Sequence, residues 1–236
     1  MTEKTLEYRH EGSVLEAYVC TPAAGRARPA VLIAHAWAGR SGFECDKARA
    51  LAAAGYVGIA IDLYGKGVLG SSVEENRALM KPFLDNRALL QSRFQAALAA
   101  ARQDPAVDAA QVAAIGYCFG GLSVLDLARS GAEVKGVVSF HGLLGTPGNT
   151  DGRKISAKVL VLHGHDDPMV PVAEVVAFES EMTTAGADWQ VHVYGHTLHS
   201  FTNPEANDPG FGVKYEASAD RRSWRSMLNF LEEVLA

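Results

Sequence analysis

Four apolar residues at 112–115 run into Gly116-Tyr117-Cys118-Phe119-Gly120-Gly121, and helical spacing begins at once over 122–128 before stopping at Ser130-Gly131. A chain that must turn from a buried strand into a helix within so few residues has few folds open to it. Cys118 falls at the apex of the turn, and Gly116 and Gly120, two residues before and two after, are small enough for strand and helix to approach each other. This is the pattern of a nucleophile elbow, usually built on Ser and here on Cys, whose apical residue is held in a strained backbone conformation above a sheet. The helix N-terminus favours an anionic sulfur, and the N–H of Phe119 points to where a reacting oxygen would gain charge. The motif alone leaves a plainer reading open, a tight turn around an inert thiol.

The rest of the chain supplies strands and helices in alternation. Segments 6–9 and 14–19, separated by Glu11-Gly12-Ser13, predict an N-terminal hairpin and hence an antiparallel edge. Pro29 introduces a continuous apolar run, 30–34, of the kind buried on both faces of a parallel sheet, and the loop His35-Ala36-Trp37-Ala38-Gly39 follows. Ser41-Gly-Phe-Glu44 has capping-box spacing for a helix that ends at Gly55, and strand 56–61 leads to Asp62-Leu63-Tyr64-Gly65. Between Gly65 and Asn86 the periodicity breaks into a Gly/Ser loop, a short helix capped near Ser72, and Lys81-Pro82; residues of about 65–86 read as a lid. Asn86 caps a longer helix with Leu89, Leu90, Phe94, Ala97 and Leu98 on one face. Beyond the elbow helix come strand 134–140, a Gly/Pro loop from Gly142 to Gly152, and strand 157–162. A helix from about Val172 to Gly186, strand 189–194, and a last helix from about Ser218 burying Trp224, Leu228, Leu231 and Leu235 complete the chain. The expected architecture is α/β: a mostly parallel central sheet with an antiparallel N-terminal edge and helices on both faces.

No linker or charge block divides residues 1–236, so one domain is expected. A net charge of -5 with scattered basic residues gives no electrostatic footprint for nucleic acid. The N-terminus lacks an apolar leader, and no run approaches the roughly 18 apolar residues that span a bilayer, which predicts a soluble, cytoplasmic monomer or small homo-oligomer. Three cysteines are too few and too unevenly spaced for a disulfide framework or a zinc site, and Cys20 and Cys45 read as small buried hydrophobes.

Loops after parallel strands gather at one sheet edge, so Cys118, Asp167 and His199, each following a strand, can converge. Their order, nucleophile then acid then histidine, is that of an α/β-hydrolase. His199 would take the thiol proton and later activate water, while Asp167 would fix the imidazole tautomer. Asp166 competes with Asp167, but the turn Asp167-Pro-Met-Val-Pro171 favours the latter; His196 competes with His199. His163-x-His165-x-Asp167 resembles a dinuclear metal spacing and sets a metal-dependent hydrolase as the mechanistic alternative. A non-catalytic binding protein on the same fold is a further one.

The residues Gly116 to Gly121, Asp62-Leu63-Tyr64, Asp167 with Val170-Pro171, and His199-Ser200-Phe201 together resemble the dienelactone hydrolase family, across most of the chain. That resemblance implies an α/β-hydrolase fold, an ester- or lactone-cleaving activity without metal or cofactor, and an oxyanion hole formed by the N–H groups of Phe119 and Trp37. Within the family the chain looks similar to a member that hydrolyses phosphotriesters, which implies the same as a side activity on small neutral substrates. Two departures bear on substrate. Family members that hydrolyse dienelactone carry Glu where this chain has Ala36, and an Arg four residues after the catalytic His where this chain has Asn203; their second Arg corresponds to Arg77. With Asn203 in place of a cation, and with Ala36, Trp37, Tyr64, Phe119 and Phe201 as expected pocket walls, neutral esters are expected to be preferred over anionic lactones.

Overall fold

The computed structural model describes residues 1–23, 25–149 and 152–236. The chain opens on a hairpin, β1 (Thr2–His10) and β2 (Ser13–Thr21), turned by Glu11 and Gly12 at φ of 47° and 80°. Next come β3 (Arg28–Ala34), α1 (Gly42–Ala53), β4 (Val57–Ala60), α2 (Val73–Asp85) and α3 (Arg87–Arg102). They are followed by β5 (Val107–Tyr117), α4 (Phe119–Arg129), β6 (Gly136–Phe140), β7 (Lys158–Gly164), α5 (Val172–Thr184) and β8 (Trp189–Tyr194). A short ribbon, β9 (Asn207–Asp208) and β10 (Val213–Lys214), precedes α6 (Ala217–Val234). Of the Gly142 to Gly152 loop, Thr150 and Asp151 lie outside the described residues.

Eight strands form one sheet in the order β1-β2-β4-β3-β5-β6-β7-β8. The β1–β2 and β2–β4 pairs are antiparallel and the others parallel, so the antiparallel N-terminal edge and the parallel centre are both present. The apolar run of β3 shows why both faces are covered. Ala30, Leu32 and Ala34 pack on one side with α3, α4 and α5, while Val31 and Ile33 pack on the other with α1 and α6. From β3 the chain moves outward to β4, then returns to place β5 on the other flank of β3. The sheet reverses its direction of growth there, so the loops after β3 and β5 part at their carboxyl ends and leave a crevice.

Three elements differ from the sequence pattern. Helix α2 runs straight through Pro82. The proline removes one ladder bond, but Phe83 is buried against the rings of Tyr64 (5.6 Å) and Phe119 (6.1 Å), and that packing carries the helix on to Asp85. In α6 the buried face is Met227, Phe230, Leu231 and Val234, with Trp224 and Leu228 only half-buried at its margin. The β9/β10 ribbon is too short to leave a periodic trace in the sequence.

Candidate active site

Cys118 sits between the end of β5 and the start of α4 at φ 54°, ψ −114°, a region that non-glycine residues seldom enter. Sterics around the turn leave the backbone little choice. A Cβ on Gly120 would lie 2.1 Å from the carbonyl oxygen of Ala34, and one on Gly116 would lie 2.0 Å from that of Gly120, so only glycine lets α4 pack this closely on β3 and β5. The Cys118 N–H is held by the carbonyl of Phe140 (3.0 Å) and by Nδ1 of His141 (3.2 Å). Strain is concentrated here: His141 and Ser200 also have positive φ, 40° and 57°.

Asp167 and His199 meet although 32 residues apart. Both are buried, and Nδ1 of His199 donates to Oδ2 of Asp167 at 2.7 Å. The other carboxylate oxygen of Asp167 accepts the N–H of Met169 (2.8 Å), a bond made possible by the turn into α5. His199 is fixed on its other side by the ribbon: its N–H donates to Gly212 (3.0 Å) and its carbonyl accepts from Lys214 (3.0 Å). Its Nε2 is buried without a hydrogen bond, and His199 and Cys118 border the same cavity. Burial opposes charge on the His199 ring, but the charge of the Cys118 sulfur and the bond to Asp167 outweigh it and raise its pKa to about 10. The rival residues pair elsewhere: His196 is fully exposed, 3.9 Å from Asp166 on the surface.

The loop after β3 is tied down by several hydrogen bonds. The N–H of Ala36 donates to Oε1 of the buried Glu44 (3.2 Å), while Oε2 of Glu44 accepts the N–H and hydroxyl of Ser41 (both 2.8 Å). The Ala36 carbonyl accepts from Nδ1 of His35 (2.7 Å) and from the N–H of Gly39 (3.2 Å), and the Tyr64 hydroxyl donates to the Trp37 carbonyl (3.0 Å). Nε2 of His35 accepts the N–H of Leu63, so this ring is the neutral Nδ1–H tautomer, consistent with burial lowering its pKa. The N–H groups of Trp37 and Phe119 donate to no described residue, as is also true of Ala38 and Arg40 in this loop. Trp37 and Phe119 are the pair expected as donors to an oxyanion, and both border the cavity that holds Cys118 and His199.

Other expected pocket residues divide. Arg77 and Asn203 border the cavity beside His199, with Trp37 and Phe119; Ala36 borders a second cavity that also reaches Cys118. Tyr64 and Phe201 are not walls of either. Tyr64 lies behind the loop, stacked 5.7 Å from Phe119, and supports Trp37 through its hydroxyl. Phe201 is fully buried, because the turn at Ser200 sends its side chain into the core, where it meets His141 and Tyr194 edge-on. The metal alternative fails on geometry: His165 is exposed, His163 is buried, and both Asp167 oxygens are engaged. Among the described residues no group of three His, Cys, Asp or Glu side chains is placed to hold a metal.

Sequence reasoning missed His141, Thr202 and the reach of Glu44. His141 accepts from Cys118, so its proton is on Nε2 and is donated to Thr202 (2.8 Å); burial first, and then the charge of His199, hold its pKa well below the ordinary value. Its position directly after strand 134–140, matching the strand exits of the other site residues, was the available signal. Glu44 was legible as a helix cap but not as the anchor of a loop eight residues earlier.

Known proteins share this fold and much of this sequence. Residues 15–235 match the model of the dienelactone hydrolase family. A dienelactone hydrolase-like promiscuous phosphotriesterase from metagenomic libraries is 34% identical, with a TM-score of 0.93, covering 100% of this chain and 99% of that one. An uncharacterised protein of Caenorhabditis elegans is 39% identical over 158 residues, 64% of this chain and 98% of its own. A dienelactone hydrolase from Anabaena variabilis, 20% identical with a TM-score of 0.71 over 100% of this chain and 99% of that one, shares the fold.

Proposed function

The chain belongs to the dienelactone hydrolase family of hydrolases, and from that premise we propose that it cleaves carboxylic esters and lactones with Cys118 as nucleophile, His199 as acid–base and Asp167 as its partner. The observation that carries the proposal is the pairing at the cavity floor. A strained Cys118 and a His199 whose Nδ1 is tied to Asp167, and whose Nε2 is free, face one space. Sulfur attacks the carbonyl carbon, and its proton, already on His199 when the pair is charge-separated, stays there. The carbonyl electrons move to oxygen, where the N–H groups of Trp37 and Phe119 stabilise the developing charge. Collapse breaks the carbon–oxygen ester bond as His199 protonates the departing alcohol, leaving a thioester on Cys118. Water, deprotonated by His199, then attacks the thioester and releases the acid and the thiolate.

The test is turnover of para-nitrophenyl acetate. Wild type should hydrolyse it, Cys118→Ala should be folded and inactive, iodoacetamide should inactivate and EDTA should not. Full activity in Cys118→Ala would overturn the assignment of the nucleophile; no turnover by wild type on a panel of esters and lactones would favour a binding role on the same fold.

A second activity is supported by the 34% identical promiscuous phosphotriesterase and by the cavity itself, about 700 Å³ and bounded by Trp37, Val73, Met80, Leu143, Met169 and Phe211. That lining suits a bulky neutral phosphotriester. Attack by sulfur expels the leaving alcohol, and water activated by His199 then cleaves the phosphorus–sulfur bond, for which thiolate is a good leaving group. Wild type should release several equivalents of leaving group and Cys118→Ser only one. A wild-type enzyme that stops at one equivalent and stays phosphorylated by intact mass would be inhibited by the triester instead.

A further inference from the structure

Two cavities of different chemistry meet at Cys118. The mainly apolar one of about 700 Å³ has His199 in its wall, with Arg77 and Asp208 also at its border. The other, about 850 Å³, is bordered by Ser41, Glu44, Lys47, His141, Thr202 and Glu205, and not by His199. Both are of the size that holds a small ligand, and Trp37, Ser200 and Asn203 border both. In the ester chemistry proposed above, on which this inference rests, the departing alcohol oxygen must come within hydrogen-bond reach of Nε2 of His199. The alcohol half of the substrate therefore belongs in the cavity that contains His199. The acyl half, on the other side of the carbonyl carbon, is left with the polar cavity.

The charges of the polar cavity are unequally available. Glu44 has three donors on its two oxygens, Asp46 accepts from Arg49 at 2.7 Å, and Glu205 is exposed at the rim. Lys47 is different. Its ammonium rests over the rings of Phe43, Trp224 and Tyr117, at 4.9, 5.2 and 5.7 Å from their centroids, and makes no hydrogen bond or ion pair among the described residues. Asp220, Asp46 and Glu44 act on this half-buried ammonium through their charge, but none reaches ion-pair distance among the described residues, so the three aromatic faces orient it and it keeps its N–H donors for a ligand. Asn203 argued against an anionic substrate because it lacks the charge of Arg, but Lys47 offers a cation from another element and on the acyl side.

We propose that the polar cavity is the acyl subsite and Lys47 its recognition residue, so that the preferred substrates are esters joining an apolar, aryl-sized alcohol to a short acid with a carboxylate at its far end.

A pair of reversed esters tests this. Benzyl hydrogen succinate places the ring on the alcohol and the carboxylate on the acid, and carboxyethyl phenylacetate exchanges them at equal size. With both followed by pH-stat, wild type should favour benzyl hydrogen succinate in kcat/KM by about tenfold, the factor expected from one charge-assisted bond. Benzyl butyrate supplies a neutral acyl group of similar length. Lys47→Met should bring the ratio of benzyl hydrogen succinate to benzyl butyrate towards one, and Lys47→Arg should retain it. Faster hydrolysis of carboxyethyl phenylacetate, or an unchanged ratio in Lys47→Met, overturns the subsite. The wild-type comparison stands even if a variant fails to fold. Hydrolysis of para-nitrophenyl acetate but of none of the benzyl compounds also overturns the subsite alone, whereas failure on every ester overturns ester hydrolysis and the subsite with it.

Discussion

Removing the carboxylate of Glu44 should separate the stability of the loop after β3 from the rest of the fold. Glu44 is 1% exposed and bridges two elements, accepting from Ala36 in the loop after β3 and from Ser41 at the start of α1. In Glu44→Ala the N–H of the half-buried Ala36 loses its partner, at about 1.5–3 kcal/mol for a hydrogen bond to a charged group, and the reciprocal half of the capping box is lost, at about 1 kcal/mol. The Ser41 side chain still caps Phe43, so α1 should persist, and the total should come to about 2.5–4 kcal/mol. The larger effect is on rate. The peptide that carries the Trp37 N–H begins at the residue Glu44 holds, and a displacement of about 1 Å there costs roughly 100-fold in a positioned reaction. In the proposed mechanism the Trp37 N–H acts on charge that develops in the transition state, so kcat should fall with little change in KM. Glu44→Gln keeps one acceptor oxygen but turns an amide towards a donor, and should fall between. Urea denaturation gives the first number, and steady-state kinetics on para-nitrophenyl acetate the second. A variant that loses the expected stability but keeps kcat within about twofold of wild type would refute the idea that Glu44 positions the Trp37 donor.

Gly120→Ala should destabilise the protein by about 3 kcal/mol, the upper end of what overpacking usually costs, because the new methyl would lie 2.1 Å from the Ala34 oxygen and 2.8 Å from that of His35, both backbone atoms that cannot turn aside; a wild-type urea midpoint would show that α4 does not pack as described. His199, with its pKa raised from 6.5 to about 10, contributes stability that is complete below about pH 6.5 and is lost as pH rises through about 10, since over that interval the folded state holds a proton that the unfolded state has released. Cys118→Ser removes one of the two influences that raise the ring's pKa and leaves the bond to Asp167 against burial, so imidazole NMR should find His199 titrating at lower pH in the variant than in wild type; an unchanged titration point would contradict the influence of the sulfur on the ring.

What could be read from the amino acids alone was whatever local sterics and periodicity dictate. The strand run 112–115, the flanking glycines and the resumption of helical spacing require a sharp strand-to-helix turn at Cys118, and the apolar run at 30–34 indicates a strand covered on both faces. Ser41 with Glu44 announced a helix start for the same reason: the orphan N–H groups of a first turn need acceptors close in sequence. Phe201 shows the limit of such reasoning. It is aromatic and two residues past His199, yet the positive φ of Ser200 turns it into the core, a matter of backbone direction that no composition records. The same holds for Tyr64, for the helix carried past Pro82, and for the ribbon that pins His199, all set by contacts with residues far along the chain. Glu44 combines the two cases in one side chain. Its bond to Ser41 follows from a spacing of three along a helix, whereas its bond to Ala36 exists only because α1 folds back over the loop after β3, which brings one carboxylate within reach of both.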